Sequence, residues 1–204
     1  MRNALFSLGL CGGLVLLLPV SAHGHLVDTR CGPFYDGLCH PFATPTDLMI
    51  VLAMSLLAGY AGPALGRTTL FSLTTGWLAG AIIGYAWLSS SFAMPVAVAA
   101  VSNLLVALMV VANLRCPRAL FPVLGATLGL CFGLSNGAEF GTVNDGPLAL
   151  AGNVSCVFAL TTWVTALAVK NDEGWRRIVV RVAGSWIAAA SLLMVGWELR
   201  GAFS

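Results

Sequence analysis

The residues able to do chemistry crowd into two short stretches. His23, His25, Asp28, Cys31, Asp36, Cys39, His40 and Asp47 all fall within 25 residues, and every histidine of the chain is among them. Imidazole, thiolate and carboxylate together are the ligand set of nickel, cobalt, copper or zinc. No C-x2-C or related zinc spacing is present, so the pattern points to metal handling without naming a geometry. Cys31 and Cys39 read equally as a disulfide in an oxidising compartment. Asp47 also has two readings. Thr44-Pro45-Thr46-Asp47 has the form of a helix start, with Thr as N-cap, Pro first and an acid third. A carboxylate there is equally a cation entry point.

The second stretch runs from Gly133 to Glu139. Ser135-Asn136-Gly137 reads as a helix C-cap, and an acid just beyond a helix C-terminus is disfavoured by the dipole unless a cation offsets it. Glu139 is therefore a candidate ligand, the alternative being a solvated loop acid. Gly133-Leu134-Ser135-Asn136-Gly137 also matches G-x-S-x-G. That motif works on a strand-to-helix elbow with a preorganised Ser–His pair, and the surrounding apolar run offers neither.

These residues must be positioned by a membrane-embedded bundle. Of 204 residues, 58% are hydrophobic and only 9% charged, with mean hydropathy +0.90. A soluble domain carries about 25% charged residues to keep its surface wet. The composition excludes a cytosolic enzyme, a nucleic-acid binder and a disordered regulator. A net charge of +2 forms no polyanion-binding patch, so no nucleic-acid partner is expected.

Residues 1–22 read as a cleaved signal peptide. Arg2 supplies the positive start, Ala4–Leu18 is an apolar core of 15 residues, and Val20-Ser21-Ala22 offers a small-residue cleavage site. The core falls short of the ~20 residues that cross a bilayer. Cleavage after Ala22 would start the mature chain at His23-Gly24-His25, whose amine and ring could chelate together. Residues 23–204 then form a single six-helix transmembrane domain with an outer loop over residues 23–45. Its spans are roughly Thr46–Ala61, Leu70–Leu88, Pro95–Leu114, Leu120–Ser135, Leu148–Val169 and Ile178–Trp197. The apolar runs are continuous, which excludes the alternating pattern of a barrel. With an outside start, Arg67, Arg115, Arg118, Lys170, Arg176, Arg177 and Arg181 fall inside, and Arg30 and Arg200 outside. Seven against two predicts both termini on the periplasmic side of the inner membrane.

Gly76, Gly80 and Gly84 in the second span, and Gly125, Gly129, Gly133 and Gly137 in the fourth, each recur every four residues. Such ridges let neighbouring backbones approach closely. Ordinary tight packing is the expectation, with a thin-walled path as the alternative.

At the two chemical stretches the chain resembles the HupE/UreJ family of nickel and cobalt permeases. The family enters its first mature span with H-P-x-x-G-x-D-H. Here His40-Pro41 is kept and Asp47 follows one position late, with Thr44 for the Gly and Leu48 where the family has His. The family's second motif is F-H-G-Y-A-H-G-x-E. Here Gly133, Gly137 and Glu139 are kept, while Phe132 and Asn136 replace histidines. The layout of signal, early His, six spans and outer N-terminus agrees along the whole mature chain.

The resemblance implies a non-enzymatic permease importing a divalent transition-metal ion, nickel or cobalt, with no covalent cofactor. Its ligands would be drawn from His23, His25, His40, Asp47, Asn136 and Glu139. His40, Asp47 and Glu139 are expected to meet at the outer mouth between the first and fourth spans. Asn103, Asn153, Cys156 and Thr165 could line the inner half or simply bond between helices. Partners are the bilayer and the ion, with association to a second copy or another membrane protein left open. The alternative is a non-transporting membrane subunit that scaffolds a larger complex.

Overall fold

The computed structural model describes residues 29–88, 92–114, 116–143, 145–170 and 175–202. The segment expected to be a signal peptide, together with His23, His25, Asp28 and Arg115, lies outside the described residues. Among the described residues there are seven helices and no strand: α1 (Pro33–Ala43), α2 (Pro45–Tyr60), α3 (Pro63–Trp87), α4 (Val96–Val111), α5 (Leu120–Phe140), α6 (Gly146–Lys170) and α7 (Trp175–Ala202).

Each of the six apolar runs is therefore helical. Four helices are long and apolar enough to cross a membrane alone: α3, α5, α6 and the Ile178–Arg200 part of α7. At 1.5 Å per residue, the 25 residues of α3 reach about 37 Å, beyond the ~30 Å of hydrocarbon. The 16 residues of α4 reach only about 24 Å. α1 and α2 pass as a fifth span only when taken together, and they are bent by 75° at their junction.

Helix α1 departs from the sequence expectation, which left residues 33–43 in a loop. Eleven residues are too few to hold a helix in isolation. Packing supplies the difference. Gly37 lies directly on the backbone of Ala149, and Gly152 on the backbone of Phe34, so α1 and α6 touch with no side chain between them. The break after it is local chemistry. Pro45 has no N–H to extend α1, and Thr44 before it is pushed to extended backbone, at φ −106° and ψ 93°. One residue thus ends α1, giving its N–H to the His40 carbonyl, and starts α2.

The two glycine ridges meet each other. A methyl at Gly129 would strike the Leu73 carbonyl, one at Gly133 the Trp77 carbonyl, and one at Gly137 the Ala81 carbonyl. The residue pairs advance together along both helices, so α3 and α5 run parallel. The fourth-span ridge thus lies on the second span, and α5 reaches α2 through the hydrogen bond from Asn136 to Asp47. The contact also carries α5 through Gly137 to Phe140. The expected cap at residues 135–137 is absent, because burying Asn136, Ala138 and Phe140 outweighs the ~1 kcal/mol cost of a glycine within a helix. Ile50, Met54, Leu73, Trp77, Val106, Val110, Phe132 and Val157 fill the centre, while Trp87, Trp163, Trp186 and Leu193 project outward.

Candidate metal site

Three structural devices bring the site together. The 75° bend at Thr44 turns the last turn of α1 and the first turn of α2 toward one point. His40 sits before the bend and Asp47 after it. The ridge contact with α3 holds the final turns of α5, with Asn136 and Glu139, at the same end of the bundle. Ala93 and Met94, just before α4, and Met194 of α7 line the remaining sides. The result is a cavity of about 360 Å³ walled by His40, Thr44, Asp47, Met94, Ser135, Asn136, Glu139 and Met194.

Within it the groups form two pairs. His40 Nε2 lies 3.8 Å from Glu139 Oε2 and 3.3 Å from Thr44 Oγ1. The His40 ring is buried and meets Phe140 edge-on, with centroids 4.9 Å apart. Asn136 Nδ2 donates to Asp47 Oδ2 at 2.8 Å. Asp47 is only 4% exposed although it carries a carboxyl. Its place in the first turn of α2 is favourable for a negative charge. Thr44 makes no side-chain cap there, since its hydroxyl turns to His40 instead. Glu139 stands in the last turn of α5, not beyond it, where the dipole opposes its charge.

Two polar atoms at this site are buried without a hydrogen-bond partner, His40 Nδ1 and Glu139 Oε1. Each such group costs free energy that a ligand would recover. Among the described residues no three His, Cys, Asp or Glu side chains already stand close enough together to hold a metal ion. The arrangement is two facing pairs on one cavity, which an ion would have to draw together.

Other anticipated residues do different things. Asp36 is occupied by Thr29, whose N–H and hydroxyl donate to it at 2.7 and 2.6 Å. Cys31 and Cys39 are free thiols, the first exposed and the second half-buried. Ser135 lies inside a continuous helix and accepts the Met94 N–H at 3.1 Å, so the G-x-S-x-G match makes no elbow. Asn103 Nδ2 donates to the Thr46 carbonyl at 3.0 Å, and Thr165 meets the Ser55 carbonyl at 3.5 Å, both bonds between helices. Asn153, expected in the inner half, instead reaches the site by donating to Asn136 Oδ1 at 3.2 Å. Met94 and Met194 were not singled out in the sequence, and Thr44 was read there only as a helix cap. Nothing near either methionine distinguishes it from a lipid-facing or core residue.

No curated protein and no solved structure matches the chain. The family described as HupE / UreJ protein matches residues 13–194. With several apolar helices and a match over most of its length, the chain is a multi-pass membrane protein that belongs to the HupE/UreJ family, a nickel- and cobalt-transport-related family.

Proposed function

We propose that this protein is an inner-membrane permease carrying a divalent transition-metal ion, nickel or cobalt, inward from the periplasm. The observation that carries the reading is the His40–Glu139 pair, 3.8 Å apart at a cavity near the bundle end. Each member keeps one buried atom unpartnered. A neutral imidazole beside a carboxylate suits a borderline-soft divalent cation. Asp47 on the facing wall supplies a second negative group. Together they would replace part of the ion's hydration shell, and His23 and His25 of a mature N-terminus would deliver it.

Inward movement needs a rearrangement. Below the cavity Ile50 and Met54 of α2, Val106 of α4 and Phe132 of α5 belong to one buried apolar cluster. A second cavity of about 310 Å³, lined by Tyr60, Asn113, Cys116 and Arg118, lies at the opposite ends of these helices. Asn103 stands one turn below the cavity-lining Ala99, with its Oδ1 buried and unpartnered. It is the natural intermediate oxygen once the apolar layer parts. The broken α1–α2 span and the short α4 complete the six spans of this reading, with both termini periplasmic. The bundle end opposite the site carries Arg67, Arg118, Lys170 and Arg181, as a cytoplasmic face should. The sequence contains no G-x-x-x-x-G-K, so uptake would follow an ion gradient or a partner.

One observation favours the alternative, a non-transporting scaffold subunit. Phe132, where the family has His, is buried and stacked on Trp77 at 5.9 Å, a packing role alone. Uptake of nickel and cobalt into vesicles holding the purified chain separates the two readings. The permease should accumulate ion, and His40→Ala should abolish accumulation. No uptake by the wild type, together with a stoichiometric membrane-protein partner on purification, would establish the scaffold instead.

A further inference from the structure

A line of hydrogen bonds runs from the centre of the bundle to the cavity. Trp77 Nε1–H donates to Asn153 Oδ1 at 2.8 Å. Asn153 Nδ2 donates to Asn136 Oδ1 at 3.2 Å. Asn136 Nδ2 donates to Asp47 Oδ2 at 2.8 Å and to the Phe132 carbonyl at 3.0 Å. The line crosses α3, α6, α5 and α2. Trp77 and Asn153 are fully buried, and Asn136 is 3% exposed.

The direction of this line is fixed by its first member. An indole N–H can only donate. Asn153 must therefore turn its oxygen to Trp77 and its amide to Asn136. Asn136 must then turn its oxygen to Asn153 and its amide to Asp47. Reversing either amide would set oxygen against oxygen at one junction and hydrogen against hydrogen at another, among side chains that are all buried. The line can end only on an acceptor, and a carboxylate is the strongest one available.

We infer that Trp77 and Asn153 are positioning residues for Asp47, and that Asn136 serves as the donor holding that carboxylate and not as a ligand of the ion. The inference rests on the permease reading for its consequence, ion affinity, but not for the hydrogen-bond line itself. Both amide hydrogens of Asn136 are engaged and its oxygen accepts from Asn153. The ion is left with His40, Asp47 and Glu139. Residues with no wall on the cavity then control how tightly it is held, as partners of metal ligands do.

The test uses the full chain in lipid nanodiscs and vesicles, titrated with nickel and with cobalt. Asn153→Leu and Trp77→Phe should each raise the half-saturating ion concentration about tenfold and leave the maximal uptake rate unchanged. In an Asp47→Asn background they should add nothing. In a Glu139→Gln background the tenfold effect should persist. A second readout needs no metal. In protein labelled with carbon-13 aspartate, the Asp47 carboxylate band, assigned by its loss in Asp47→Asn, should shift in the infrared for both variants. An equal loss in both backgrounds, or an unmoved band in folded Trp77→Phe, would overturn the inference. If the wild type takes up no metal while the band shifts, the permease reading fails and the positioning of Asp47 stands.

Discussion

Replacing Gly133 with alanine tests the contact on which the site is built. In a helix interior the change alone would stabilise by about 1 kcal/mol. At Gly133 the new methyl would fall on the Trp77 carbonyl, with Ala81 N close behind it at 3.0 Å. Both are backbone atoms of a packed helix, so no side-chain rotation can relieve the overlap. α3 and α5 must separate, which costs about 1–3 kcal/mol for overpacking and loosens the neighbouring contacts at Gly129 and Gly137 as well. Those added losses exceed the propensity gain, and the net expectation is a destabilisation of about 2 kcal/mol. For a chain of this length that lowers the melting temperature by about 4–8 °C. The control is Gly196→Ala on α7, where a methyl meets nothing within 4 Å and the propensity gain stands alone. Thermal unfolding followed by size-exclusion recovery in one detergent compares the two. Gly133→Leu, with a larger overlap, should be recovered less well than Leu134→Ala, which only trims a half-buried side chain. If Gly133→Ala melts with or above Gly196→Ala, the ridge contact does not hold α5 in place.

Four further outcomes are expected. Glu139→Gln should weaken nickel binding by at least tenfold, read by titration calorimetry, with little change in melting temperature, read by thermal unfolding, because Glu139 Oε1 has no hydrogen-bond partner to lose and Oε2 stands 3.8 Å from His40, beyond hydrogen-bond length. Acidification should weaken ion binding in the wild type, since protons compete with the ion for His40, Asp47 and Glu139; affinity that holds or rises as pH falls would exclude these ligands. Intact mass should place the mature N-terminus at His23, and a C-terminal reporter should be active only in the periplasm; a retained Met1 removes the N-terminal chelate, and a cytoplasmic reporter overturns the six-span orientation.

The limits of the sequence show in individual residues. Asp47 was visible as both a helix-start acid and a ligand candidate, because Thr-Pro-Thr-Asp is a short-range pattern. That its carboxyl is buried and held by Asn136 was not visible, since the two are 89 residues apart. Residues 33–43 read as loop because their helix depends on two glycines, Gly37 and Gly152, meeting across separate segments. The ridge glycines announced a close contact by their spacing, yet spacing says nothing about the partner. The partner proved to be the other ridge, running parallel.

The amino-acid sequence alone determined the membrane class, the helical character, the approximate positions of the apolar runs and the family, because these follow from local composition, period and short motifs. Tertiary structure decided which helices touch, how far α5 extends, the bend that joins His40 to the cavity and the line from Trp77 to Asp47. Each of those depends on backbone atoms and buried amides from distant segments meeting at atomic distance. In a bundle whose surface and core are equally apolar, hydrophobic pattern cannot distinguish one helix face from another.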